Sequence, residues 1–125
     1  MKTIFLLELE AIPADKRQEK LIRGLTYRLL EKTFFAAYAD IFGSQIRALE
    51  ELNSRNISKS EADLMFKELQ REFEPFKVWT LEKYLTFLFR FEFIEISEDV
   101  YSITQTGRNF LVFLSLHGLT KERSL

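Results

Sequence analysis

At 125 residues, 46% of them hydrophobic and 30% charged, the chain has the composition of an ordinary soluble globular protein, and disorder, collagen-like repetition and low complexity are excluded. One core, or one small domain with a helical extension, is expected at this length. Zero cysteines remove disulfides, thiolate nucleophiles and sulfur-ligated zinc, and the single histidine, His117, leaves almost no means of building a metal site or a triad. The formal net charge of -1 hides no basic block: residues 1–43 hold seven Lys/Arg and six Asp/Glu, 44–119 hold nine and twelve, and 120–125 hold two and one.

No apolar run approaches the ~18 residues of a bilayer span. The run Ile4-Phe5-Leu6-Leu7 is broken by Glu8 and Glu10 before a signal-peptide core would end. A cytoplasmic protein without membrane contact is therefore expected. The 13 phenylalanines are the unusual feature. Phenylalanine buries a large area with no polar atom to satisfy, so most of this stock is expected in a core and the surplus at an interface.

In chain order, Thr3 to Glu10 fits a short strand or a helix start, and Pro13 follows. From Asp15 to Glu31, Leu21, Ile22, Leu25, Leu29 and Leu30 form an apolar stripe opposite Lys16, Arg17, Lys20, Arg23 and Arg28, which predicts an amphipathic helix. A second stripe runs from Phe34 through Phe35, Tyr38, Ile41, Phe42, Ile46 and Leu49 to Leu52, as one helix or as two meeting at Gly43. Ser58-Lys59-Ser60-Glu61 has the form of a capping box and predicts a helix carried by Ala62, Met65, Phe66, Leu69 and Phe73 and ended by Pro75. Thr80 caps the next helix, with Leu81, Tyr84, Leu85 and Leu88 on its apolar face. At Phe91 the period changes from 3.6 to 2: Phe93-Ile94-Glu95-Ile96 reads as a strand, Ser97-Glu98-Asp99 as a turn and Val100-Tyr101-Ser102-Ile103 as the return strand. Thr104 or Thr106 caps a last helix built on Phe110, Leu111, Phe113 and Leu114, with Gly118 as its stop.

Helix, capped helix, helix, hairpin and closing helix from Ser44 to Gly118 resemble the winged-helix branch of the helix-turn-helix superfamily. The most telling stretch is Tyr101-Ser102-Ile103-Thr104-Gln105-Thr106-Gly107-Arg108-Asn109-Phe110-Leu111, which is similar to the segment that follows the wing and opens the next helix in that superfamily. The resemblance implies a first helix at Gln45–Leu52, a second at Ser60–Phe73, a third or recognition helix at Leu81–Arg90 and a wing at Ile94–Ile103. The chain departs from the pattern in two places. The link from Phe73 to Thr80 exceeds the usual short turn and holds Pro75, Phe76, Val78 and Trp79, and the wing tip Ser97-Glu98-Asp99 is acidic where a DNA-binding wing offers cations.

The expected architecture is mainly α with a small β-hairpin: an extension over 1–43 for dimerisation or docking, a winged-helix-like domain over 44–119 and a tail over 120–125. Lys83, Thr86 and Arg90 share one face of the third helix and, with Arg23 on the basic N-terminal helix, are the candidates for nucleic-acid contact. Glu82, Glu92, Glu95, Glu98 and Asp99 flank that face and oppose a polyanion. Phe34, Phe35, Tyr38, Phe42, Phe76 and Trp79 are the candidates for a protein interface, against the plainer reading that they pack in a core. No Gly-rich phosphate loop, nucleophile elbow or tied pair of carboxylates appears, and no cofactor, metal or small-molecule substrate is expected. These readings point to a non-enzymatic binding module that meets another protein or a second copy of itself, with a dimeric DNA-binding regulator as the alternative.

Overall fold

The computed structural model describes residues 29–122. The expected element at Thr3–Glu10, most of the helix expected from Asp15, and Arg23 on it lie outside the described residues. Within them the chain is mainly helical with one small antiparallel sheet. It divides between Ala39 and Asp40 into two units. Helix α1 covers residues 29–40. In the first unit Phe34 and Ala37 are buried on α1, while Leu29 and Phe35 are exposed.

A break at Ile41 and Phe42, just inside the second unit, settles the long aromatic stripe as two helices. Helix α2 spans Gly43–Ser54, strand β1 Ile57–Ser58, helix α3 Lys59–Glu72, a 3-10 turn Glu74–Val78, helix α4 Leu81–Arg90, strands β2 Ile94–Ser97 and β3 Val100–Ile103, and helix α5 Gln105–Leu116. Phe42 has no side-chain acceptor for the start of α2, so Gln45 supplies the local bond: its Oε1 accepts from the Phe42 N–H at 3.0 Å. Ser58 caps α3 by accepting from the Glu61 N–H at 3.2 Å. The return half of the expected capping box is not made, because the Glu61 carboxylate is taken by Arg55, whose Nη1 donates to Oε1 at 2.9 Å. Thr80 caps α4 through Lys83 N–H at 3.1 Å, and Thr104 rather than Thr106 caps α5 through Gly107 N–H at 3.0 Å.

Helix α3 stops at Glu72, before Pro75, and the link to α4 is ordered by its own contacts. Gln70 Nε2 donates to the carbonyls of Phe76 and Trp79, both at 3.0 Å. The Phe76 ring is 1% exposed and meets Phe42 and Tyr84 at 5.2 Å, Trp79 at 5.3 Å and Phe73 at 6.2 Å, all near edge-on. Aromatic pairs in that geometry add to the stabilisation from area burial.

The sheet order is β1-β3-β2. Ile57 and Ile96 both lie opposite Tyr101, and Ile94 lies opposite Ile103, so these five share the inner face. The sequence reading missed β1, whose two residues are too few for an alternation to register. Gly107 explains the motif after the hairpin. A Cβ there would sit 2.3 Å from the Phe93 carbonyl oxygen and 2.7 Å from Ile103 Cγ1, so only glycine permits α5 to pack this closely on the hairpin. Tyr101, Ile103 and Phe110, three of the apolar positions of the motif, are buried and Leu111 is half-buried, with Phe110 stacked on Phe93 at 4.5 Å. The motif is thus a packing device.

Ser44 and Gln45 are the buried polar residues of the core among the described residues, and both bond to Tyr84 on α4. Ser44 Oγ and Tyr84 Oη share a hydrogen bond at 2.5 Å, and Gln45 Nε2 donates to the Tyr84 carbonyl at 2.9 Å. Burial pushes the Tyr84 phenol up to about 12, against smaller opposing effects of the Ser44 bond and Arg47. A phenol whose folded pKa is raised keeps its proton after the unfolded chain has lost it, so stability is full below about pH 10 and falls as pH rises toward the folded value. Urea unfolding from about pH 9 to about pH 12 should show a loss on the order of 2–3 kcal/mol. Tyr84→Phe should flatten that slope; an unchanged slope would contradict the assignment.

Candidate docking surface

Helix α4 has two faces of opposite character. Leu81, Tyr84, Leu85 and Leu88 point into the core, and Glu82, Lys83, Thr86, Phe89 and Arg90 are exposed. The three α4 residues named for nucleic-acid contact are thus brought together on the outer side. Two of them already have partners: Lys83 Nζ stands 4.6 Å from the Trp79 ring centroid, and Thr86 Oγ1 donates to the Glu82 carbonyl at 2.8 Å. Cation–π contact and back-bonding both compete with an external phosphate or base edge.

The hairpin beside α4 carries the opposite charge. Burial pushes the Tyr101 phenol above its ordinary pKa, and the carboxylates of Glu82, Asp63 and Asp99 push it further in the same direction. Those carboxylates come from α4, α3 and the hairpin tip respectively. Around Tyr101 the surface is apolar: Phe89 lies at 6.3 Å ring to ring, and Phe89, Ile96 and Val100 are large side chains left exposed. Ile96 shares the inner face of the sheet with buried Tyr101, yet it is 44% exposed on the edge strand β2. Glu82 and Asp99 are visible as acidic neighbours in the sequence, whereas Asp63 lies far from the hairpin in the chain and Phe89, an apolar residue on a helix, carries no sign that it faces outward.

The hairpin turn has a backbone cost. Ser97 pairs with Val100, so Glu98 and Asp99 form a two-residue loop, and their φ angles are 51° and 60°. Both belong to the left-handed region that a type I′ turn requires and that Asn-Gly fills with least strain. Lys59 N–H donates to the Asp99 carbonyl at 2.8 Å, tying the tip to the start of α3.

The candidate interface residues fall into separate places. Phe34 is buried in the first unit, where Phe35 is exposed and Tyr38 half-buried. In the second unit Phe42 and Trp79 are half-buried and pack with Phe76, which is core. Phe34 and Phe76 are therefore corrected from interface to buried packing, as their lack of any polar atom favours. His117 closes α5 with its ring 4.5 Å from that of Phe113. Among the described residues no group of three His, Cys, Asp or Glu is placed to hold a metal ion, and no helix is long and apolar enough to cross a membrane. No protein-family model, curated protein or solved structure matches the chain.

Asp99→Gly should stabilise the protein by about 1 kcal/mol in urea unfolding, because glycine adopts the required φ without a Cβ penalty. A loss of stability would mean that the Asp99 side chain contributes more to folding than its backbone strain costs.

Proposed function

We propose that the chain is a non-enzymatic, cytoplasmic winged-helix binding module that engages another polypeptide, as a homodimer or as a subunit of a complex. Support for the winged-helix reading comes from the order α2, β1, α3, α4, β2, β3, with β1 paired to β3 and α4 in the position of the third helix. The observation that carries the interaction reading is the convergence of Asp63, Glu82 and Asp99 around Tyr101, beside exposed Phe89 and Ile96. Carboxylates around an apolar patch suit a partner that brings Lys or Arg with an apolar anchor, and they repel a phosphate backbone. The left-handed Glu98-Asp99 tip supports the same reading, since strain retained at an exposed acidic turn is a reason to look for its use. Exposed Phe35 and half-buried Tyr38 on α1 support a second copy as one such partner.

A DNA-binding regulator is the second reading, favoured by the exposure of Lys83, Thr86 and Arg90 on one side of α4. Fluorescence anisotropy of a mixed-sequence duplex, titrated at low and near-physiological salt, separates the two. The interaction reading predicts flat titrations for the natural protein and measurable, salt-sensitive binding once Asp63→Lys, Glu82→Lys and Asp99→Lys are combined. Tight binding by the natural protein that falls steeply with salt and is lost in Lys83→Glu or Arg90→Glu would overturn it.

A further inference from the structure

The second unit has a half-open cavity of about 280 Å³ lined by α2, α3, α4 and the sheet. Folded interiors are packed about as densely as organic crystals, with few voids larger than a water molecule. An engineered apolar cavity of about 150 Å³ holds benzene. A space nearly twice that size has room for an apolar body of about a dozen heavy atoms. Its deep wall is Leu52, Phe66, Leu85 and Leu88, all buried, and its rim carries exposed Arg47, Glu51 and Glu72.

One end of the cavity is polar. Ser44 and Tyr84 both line it, and each is less than a tenth exposed. The two hydroxyls have two hydrogens between them, and the bond they share uses one. The other has no acceptor among the described residues. Arg47, one turn along α2 from Ser44, also lines the cavity, and it makes no ion pair or hydrogen bond among the described residues. Its charge is close enough to oppose the upward shift of the Tyr84 phenol. One spare hydroxyl donor and one uncommitted guanidinium therefore face the same region at the edge of an apolar chamber.

We propose that this cavity is a binding site for a small monocarboxylic acid, with the carboxylate held by Arg47 and the Ser44–Tyr84 hydroxyl pair and the hydrocarbon body lodged against Leu52, Phe66, Leu85 and Leu88. A guanidinium beside a hydroxyl donor matches the planar, doubly accepting carboxylate. The rim sets a limit on charge. Glu51 is engaged by Arg55 at 2.8 Å, but Glu72 at the mouth makes no ion pair among the described residues, so a second anionic group on the ligand is opposed. The site uses the inner face of α4, and Tyr101, which also lines the cavity, is the residue it shares with the docking surface.

Calorimetric titration of the full chain with decanoate, below its micelle concentration, tests the assignment. Decanol and decanedioate serve as the neutral and doubly charged comparisons. The expected result is saturable one-to-one binding of decanoate, weakened at least tenfold for decanol, for decanedioate and in Arg47→Gln. Ala48→Leu, which adds volume at the half-buried Ala48 in the cavity wall without removing a core side chain, should abolish binding. Circular dichroism confirms that each variant is folded. Three results would overturn the proposal: no binding of decanoate, equal affinity for decanol, or binding that survives both Arg47→Gln and Ala48→Leu.

Discussion

Tyr84 is the point at which the first and fourth elements of the second unit are fixed to each other. Its hydroxyl bonds Ser44 and its carbonyl accepts from Gln45, so the start of α2 holds α4 by two buried polar contacts. Gln45 is 2% exposed, and its amide also accepts from the Phe42 N–H, so a single side chain both opens α2 and anchors α4. Apolar packing alone tolerates small slides and rotations, whereas a satisfied buried polar network admits one register. Losing either partner would strand a buried donor or acceptor at a cost on the order of 1–3 kcal/mol. The rotation of α4 about its axis, and hence which of its residues face outward, follows from that tie.

Both candidate binding regions are consequences of how α4 is set. Its inner face closes a chamber with Arg47 and two hydroxyls at one edge, and its outer face meets a hairpin whose tip is acidic. The outer face carries cations, but Lys83 sits over Trp79, and the charges that raise the Tyr101 phenol, on Glu82, Asp63 and Asp99, are carboxylates. α4 exposes Lys83, Thr86 and Arg90, but the carboxylates that act on Tyr101 beside it disfavour a polyanion.

Much of this architecture was legible in the sequence because it rests on local chemistry. The span Leu81–Arg90 follows from its cap at Thr80 and its apolar stripe, and the hairpin follows from the change of period at Phe91. The Thr104 and Gly107 positions are legible as a motif, although their reason, a cap and a 2.3 Å approach to the Phe93 carbonyl, needs three dimensions. What sequence did not give was set by contacts between distant segments. Arg55 drew Glu61 out of its capping box, the charge of Asp63 on α3 came to act on Tyr101, and Phe76 became the hub of a ring cluster instead of an exposed anchor. The cavity was invisible for the same reason, since Ser44, Arg47 and Tyr84 come together only once α2 is tied to α4.

If the outer face of α4 and the hairpin form the proposed acidic, apolar docking surface, amide chemical-shift mapping of the isotope-labelled full chain will distinguish a Lys/Arg-rich peptide carrying Leu and Phe anchors from a DNA duplex. Saturable shifts are expected at Asp63, Glu82, Phe89, Ile96 and Asp99 with the peptide and none with the duplex. Shifts confined to Lys83, Thr86 and Arg90 that appear with the duplex and not with the peptide would contradict it.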